Sequence, residues 1–416
     1  MKKKRFIIIS VIVFLGIIAV GSVIKYVGVN GLGNGDRTNS SETTTAATTA
    51  ETQNVADASE DNNDKQEQIP ELTKPPETTK TPEITEIPEI TGIPQISGIP
   101  QGSDDTTVDN EESDVYDTIT ISAAGDVTLG RDLSFGYEKT FDQELELQGN
   151  DYGYFFRNVK DIFAADDLTI VNLETTLTTA TKMAEKKYRF KADPSYVEIL
   201  KEGDIEVVSI ANNHTLDYLD KGYEDTLSTL ETAEVGYFGF EHSYITDIRG
   251  IKIGILGYTY WETSKKQKEK IKKAIADLRK EGADIVIVMY HWGIERDYEQ
   301  YSSQQDLARF SIDNGADLIL GSHPHVVQGI EEYNGKYIVY SLGNFSFGGN
   351  KNPDDKDTMI VVHKFNFKNN ELISQENEVI PCSISSVNER NNYQPTPLEG
   401  EEKARVMEKI EKYSNY

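Results

Sequence analysis

Cysteine is nearly absent. The 416-residue chain has one, Cys382, which excludes an intrachain disulfide and a zinc site built on cysteine thiolates. It also excludes a lipid anchor on a cysteine near the N-terminus. Positive charge is scarce as well: 42 Lys and Arg stand against 70 Asp and Glu, for a net charge of -28. Nonspecific binding to nucleic acid needs a basic face, so that class of function is excluded. The deficit is uneven. Between Asn30 and Asp117, roughly 20 acidic and 4 basic residues carry about 16 of the 28 units. The acidity therefore describes a segment of chain more than a folded body.

That same segment has a single aromatic residue, Tyr116, near its end, and composition divides the chain into four parts. Residues 1–29 are a basic tip and an apolar run. Lys2, Lys3, Lys4 and Arg5 precede Phe6–Ile24, nineteen residues without a charge. As a helix they would span about 28 Å, the hydrocarbon thickness of a bilayer. The basic flank is expected to stay in the cytoplasm, which makes this a single-pass cell-membrane protein with its C-terminal domain extracellular. Ala19-Val20-Gly21 also reads as a poor cleavage site, so a removed signal peptide is the alternative. Residues 30–115 are Thr-, Glu- and Pro-rich, and Pro82, Pro88, Pro94 and Pro100 recur every six residues. Dense proline blocks helix and strand ladders, which predicts a disordered, extended spacer. A repeat that binds wall polymer is the sharper alternative.

Globular patterning occupies residues 116–388. Six apolar, β-rich runs each stop at polar residues: at Gly125-Asp126, Asn172-Leu173-Glu174, Asn212-Asn213-His214, His291-Trp292, His323-Pro324-His325 and Ser341-Leu342-Gly343-Asn344. Lys265–Glu281 reads as an amphipathic helix with Ile271, Ile275 and Leu278 on one face, and Gln304–Asn314 as another, closed by Gly315. Strands alternating with helices predict an α/β fold, whose ligands bind beyond the carboxyl ends of the strands. Residues 389–416 read as a C-terminal tail, with a helix of mixed charge over Tyr393–Tyr416.

Four of the six histidines, His214, His291, His323 and His325, lie at those strand ends. With Asp126, Glu174 and Asn213 they make up a ligand set suited to Zn, Mn or Fe. His242 and His363 stand apart and read as ordinary surface or core residues. Trp292, Tyr340, Phe345 and Phe347 read as core, with a binding groove as the alternative.

Taken in order, Gly125-Asp126-Val127-Thr128-Leu129-Gly130-Arg131, Asn172-Leu173-Glu174, Ala211–His214, His291-Trp292-Gly293, Gly321–His325 and Ser341–Phe345 closely resemble the bacterial capsule-synthesis (CapA, poly-gamma-glutamate) family over about residues 116–388. That family is similar in fold to calcineurin-like metallophosphoesterases. The resemblance implies a metallophosphatase-like four-layer α/β/β/α sandwich with one or two divalent ions. It implies ligand roles for Asp126, Asn213, His291, His323 and His325, with Asn172 or Glu174 in the place of a bridging aspartate. His214 would contact the scissile group. Arg131, closing the Gly125–Arg131 segment, reads either as a binder of a substrate carboxylate or phosphate or as a surface or fold-stabilising arginine. Asn344 either orients a ligand histidine or caps its own turn. One departure stands out: phosphoesterases of this class begin Asp-x-His, and here Thr128 stands where the histidine would be.

The implied function is a metal-dependent hydrolase or transferase on the capsule polymer, poly-gamma-glutamate or a similar polyanion. The alternatives are a non-catalytic assembly or export subunit and an extracellular phosphoesterase. Other membrane subunits of a capsule-synthesis complex are the expected protein partners.

Overall fold

The computed structural model describes residues 117–260 and 263–414. The expected membrane anchor and the proline spacer lie outside the described residues. Among the described residues, no helix is long and apolar enough to cross a bilayer.

Alternation of side chains along the strands sets the layers. In Ile285–Trp292, Ile285, Ile287 and Met289 enter one apolar cluster, while Val286, Val288, Tyr290 and Trp292 enter another. In Leu168–Leu173, Leu168 and Ile170 face the first of these, and Val171 and Leu173 face a third. Both faces of each strand are apolar, as strands covered on two sides must be. The shared cluster, with Ile121, Ile170, Ile255, Ile287, Leu320 and Phe365, lies between two sheets.

The first sheet runs in the order Thr396–Pro397, Glu371–Ser383, Asp357–Lys368, Asp117–Thr128, Leu168–Leu173, Val207–Ser209, Gly236–Phe238, with Asn344–Phe347 also pairing with Asp117–Thr128. The second runs Ile330–Tyr333, Lys336–Val339, Leu318–Ser322, Ile285–Trp292, Ile251–Tyr260, Tyr244–Ile248. Strands at the middle of both sheets are parallel, so their carboxyl ends share one edge. Phe141–Leu147, Val197–Glu202 and Leu219–Thr232 cover the outer face of the first sheet. Lys265–Lys280 and Ser302–Asp313 cover the outer face of the second. The result is the expected α/β/β/α sandwich.

Local sequence explains the helix over Lys265–Lys280. Ser264 Oγ accepts from Gln267 N, and the Gln267 side chain accepts from Ser264 N, a capping box that satisfies two otherwise orphaned donors. Ile271, Ile275 and Leu278 are buried as their spacing predicts. Gly315, at φ 106°, provides the left-handed turn after Ser302–Asp313.

The C-terminal tail requires a correction. Its helix begins at Gly400, not Tyr393, and spans Gly400–Ser414. Tyr393 is buried, with its hydroxyl donating to Lys139 O at 2.6 Å. The helix buries Val406 and Ile410 in the cluster shared by the sheets, and Arg405 and Lys409 tie it to Asp357. Residues 389–414 are therefore part of the same body.

Two carboxylic acids sit at the amino ends of the first sheet's strands. Burial pushes the Glu206 carboxyl up to about 8 and that of Asp166 up to about 6, although each accepts backbone or hydroxyl hydrogen bonds. Both are acids that hold their protons more tightly in the folded state than in the unfolded chain. Their effect is therefore a loss of stability as pH rises from the ordinary carboxylate range to the folded values. Urea midpoints are expected to fall between about pH 5 and 8, and Glu206→Gln to flatten the part above about pH 6. A midpoint in Glu206→Gln that tracks the wild type across that range would count against this account.

Candidate metal centre

The chain returns from the second sheet to the first just after Val339, and the site forms there. Lys336–Val339 belongs to the second sheet and Asn344–Phe347 to the first, so Tyr340–Gly343 spans the gap. Asp126 N donates to Gly343 O at 3.0 Å. The backbones meet so closely that a Cβ on Gly125 would lie 1.8 Å from Gly343 O, and Gly343 itself has φ 78°. Glycine is needed at both positions. This contact brings Asp126 and Glu174 of the first sheet against His291, His323 and His325 of the second.

The geometry centres on Glu174. Its side chain is fully buried, and Oε1 has no hydrogen-bond partner. Three imidazole nitrogens surround that oxygen: His291 Nε2 at 3.6 Å, His325 Nε2 at 3.9 Å and His214 Nε2 at 3.9 Å. His323 Nδ1 lies 3.1 Å from His291 Nε2, and Asn213 Oδ1 lies 2.9 Å from the same nitrogen. Ligand atoms of Glu174, His323 and His325 all fall within 4.8 Å of one another. Donors about 2.0–2.2 Å from one ion lie at most about 4.4 Å apart, so the close pairs fit a common ion. Lone pairs crowded in this way repel unless protons or a cation lie among them.

The supporting contacts aim the donors. His325 Nδ1 lies 2.8 Å from Asn344 Oδ1 and 3.2 Å from Asp126 Oδ2, which turns Nε2 toward Glu174. Asn344 Nδ2 also donates to His325 O at 3.1 Å, so Asn344 both orients the ring and braces the turn. His291 Nδ1 lies 3.0 Å from Ser322 Oγ. His323 and His325 have φ of 96° and 57°, strained values costing roughly 1–3 kcal/mol each, of a kind that concentrates at functional sites. His323 N donates to Asp126 Oδ2 at 3.3 Å, which helps to hold that turn.

Electrostatics follow from burial. Burial holds His291 and His323 well below the usual histidine range, and neighbouring imidazoles push the same way. Burial and then Asp126 raise the Glu174 carboxyl well above the usual range. For His325 burial pulls downward, but Glu174 and Asp126 together outweigh it and push the group up to about 10.

The structure brings Asp126, Asn172, Glu174, Asn213, His214, His291, His323 and His325 to one place and gives several of them distinct parts. Asn172 braces the cluster. Its Nδ2 donates to Asp126 Oδ1 at 2.7 Å and lies 3.2 Å from His291 Nδ1, while its Oδ1 accepts from Asn212. It aligns two donors in this structure. Thr128 Oγ1 donates to Glu174 Oε2 at 3.4 Å, so the residue in the place of a histidine steadies the central carboxylate. Of the two readings of Arg131, its contacts favour the fold-stabilising one. Its Nε pairs with Asp142 at 2.7 Å and its NH1 donates to Phe135 O, which places its guanidinium in the 131–142 loop, outside the cluster. His363 is a satisfied core residue between Asn377 and Gln375, and His242 contacts Tyr223. Trp292, Tyr340 and Phe345 are core; Phe347 is also buried and lies 5.0 Å, ring to ring, from His325.

Sequence reasoning missed Asp217, Lys186 and Phe190. Asp217 Oδ2 lies 2.6 Å from His214 Nδ1, and the Phe190 ring stacks on His214 at 4.1 Å. Lys186 Nζ donates to Asn213 O and Asp217 Oδ1, each at 2.8 Å. The spacing of Asp217, three residues after His214, was a usable signal. The basic run around Lys186 was a usable signal too, but nothing in the sequence marks Phe190, which opens the short strand Phe190–Ala192.

Fold and site together define an α/β/β/α domain with a buried His, Asp and Glu cluster where the sheets' strand ends meet. Residues 120–349 match the family model described as bacterial capsule synthesis protein PGA_cap, and the chain belongs to that family. It is 33% identical to the PGA biosynthesis protein CapA of Bacillus subtilis over 253 residues, covering 56% of this chain and 64% of that one. It is 30% identical to the capsule biosynthesis protein CapA of Bacillus anthracis over 256 residues, covering 55% and 60%. The chain thus spans less than two thirds of either relative. A solved structure titled as a novel phosphatase from Mycoplasma pneumoniae aligns at 16% identity and TM-score 0.38, covering 64% of this chain and 95% of that one.

Proposed function

We propose that this protein is a membrane-anchored, extracellular capsule-synthesis protein that acts as a metal-dependent hydrolase or transferase on an anionic polymer, poly-gamma-glutamate or a similar polyanion. The observation that carries the reading is Glu174 Oε1, a buried carboxylate oxygen with no hydrogen-bond partner among three imidazoles. Leaving such a group buried and unpaired is costly, and a cation relieves the cost. The printed names of the two Bacillus relatives support the polymer and the capsule setting. The apolar run behind Lys2–Arg5 supports the anchor. Other membrane subunits of a capsule complex are proposed as partners.

Asp126, Glu174, Asn213, His291, His323 and His325 would hold one or two divalent ions, with Mn, Zn or Fe suited to this donor set. Such an ion, when bound, polarises the scissile group and lowers the pKa of water. Asp217 orients His214 through Nδ1, which leaves Nε2 facing the cluster to move a proton to or from the reacting group. Phe190 keeps that ring in plane and dry on one face. Ser322 and Asn344 hold the rings of His291 and His325.

A second reading is favoured by Thr128: with no histidine there, the centre has fewer donors and would serve to hold polymer in a non-catalytic assembly subunit. Polymer-length assays separate the two. Full-length protein is expected to shorten or transfer poly-gamma-glutamate, and His214→Ala to slow this by about 10²–10⁴-fold with metal content unchanged. Unaltered polymer length in the presence of metal-loaded wild type would favour the assembly reading. Turnover of an aryl phosphate with added Mn, lost in His214→Ala, would favour a phosphoesterase.

A further inference from the structure

We infer that Lys182–Lys191 forms a docking rim that takes an extended polycarboxylate chain and leads it to the metal centre. The inference rests on the polymer substrate proposed above and adds where and how that polymer is recognised.

Charge is the first observation. In a chain of net charge -28, five of these ten residues are Lys or Arg, against one Glu. The second observation is placement. Ala184 N donates to Asp217 O at 2.9 Å, and Lys186 Nζ bridges Asn213 O and Asp217 Oδ1. Phe190 N donates to Asp217 Oδ2 at 2.6 Å while its ring covers His214. These contacts pin the segment against the residues proposed to hold metal and move protons.

The third observation is that two of the cations are available. Lys182 and Lys187 are exposed and pair with no carboxylate among the described residues. Lys186, by contrast, is committed to Asp217. Exposed apolar side chains lie between and beside the cations: Met183 and Tyr188 in the segment, and Leu216 and Leu219 on the adjoining turn. Ammonium groups interleaved with exposed apolar surface match a chain that carries carboxylates on methylene stems. A polyphosphate would satisfy only the charge.

The test is binding of fluorescein-labelled poly-gamma-glutamate to the full-length protein, read by anisotropy at low and high salt, with metal content measured on the same samples. The Lys182→Ala, Lys187→Ala double variant removes two exposed charges and should fold normally. It is expected to bind polymer about 5- to 20-fold more weakly at low salt, to approach the wild type at high salt, and to hold wild-type metal. Polymer affinity equal to wild type at both salts overturns the inference. So does equal competition by neutral polyglutamine, or by polyphosphate of matched charge. If the wild type holds no metal while the double variant still loses affinity, the rim stands and the metal reading falls.

Discussion

Full-length protein supplied with Mn, Zn or Fe is expected to retain one or two equivalents of divalent metal, and His291→Ala and His323→Ala each to lose it. Removing a partner that merely orients a ligand typically weakens metal binding about 10–100-fold. These two residues present nitrogens at the centre itself, 3.1 Å from each other, so the loss should exceed that range. His242→Ala, away from the cluster, should retain wild-type metal. The most discriminating variant is Glu174→Gln. It keeps the shape of the side chain but removes its charge from the middle of the cluster, so metal uptake should fall. The metal-free protein should lose stability as well, because the buried His325 cation loses its strongest attraction. In the wild type, free metal at about 100 times its Kd should add about 2.7 kcal/mol of stability, visible as a raised Tm that chelator reverses. Elemental analysis that finds no metal in the wild type, or full metal in both histidine variants, would remove the basis for a metal-dependent function.

The second large effect belongs to Gly125→Ala. The added methyl would sit 1.8 Å from Gly343 O and 2.8 Å from its carbonyl carbon. Both obstacles are backbone, so no side-chain rotation relieves the overlap. Either the Asp117–Thr128 strand or the Tyr340–Gly343 crossing must move, and the hydrogen bond from Asp126 N to Gly343 O breaks. A loss of more than about 3 kcal/mol is expected in urea unfolding, at or above the usual upper range for overpacking. Metal uptake should fall with it, because the same contact joins the two halves of the site. Gly136→Ala is the matched control: a Cβ there meets nothing within 4 Å, and its effect should stay within about 0.5 kcal/mol. Equal stability of the two variants would show that the crossing tolerates displacement.

Much of the site was legible because strand ends announce themselves. Unbroken apolar, β-rich runs that stop at His, Asp, Asn or Glu place those residues at sheet edges, and four histidines at such positions suggest a common centre. The helix over Lys265–Lys280 was legible for a different reason: Ser264, Gln267 and the spacing of Ile271, Ile275 and Leu278 act within a few turns of chain. The parts that failed depend on contacts between distant segments. Arg131 looks like an anion binder until Asp142 is seen beside it. The bracing role of Asn172 shows only once Asp126, His291 and Asn212 are seen around it. Residues 389–414 look like a tail because their apolar positions are few, and only the docked helix shows Val406 and Ile410 completing the core.

By itself, the sequence determined the α/β class, the strand-end positions of the metal-type residues and, through its ordered motifs, the family to which the chain belongs. These follow from periodicity and short motifs, which act locally. Tertiary structure alone decided which donor atoms face one another, that Thr128 supports Glu174, that Phe190 covers His214, and that a basic segment lies against the centre. Side-chain direction and neighbours distant along the chain arise from the packing of two sheets, and no local pattern encodes them.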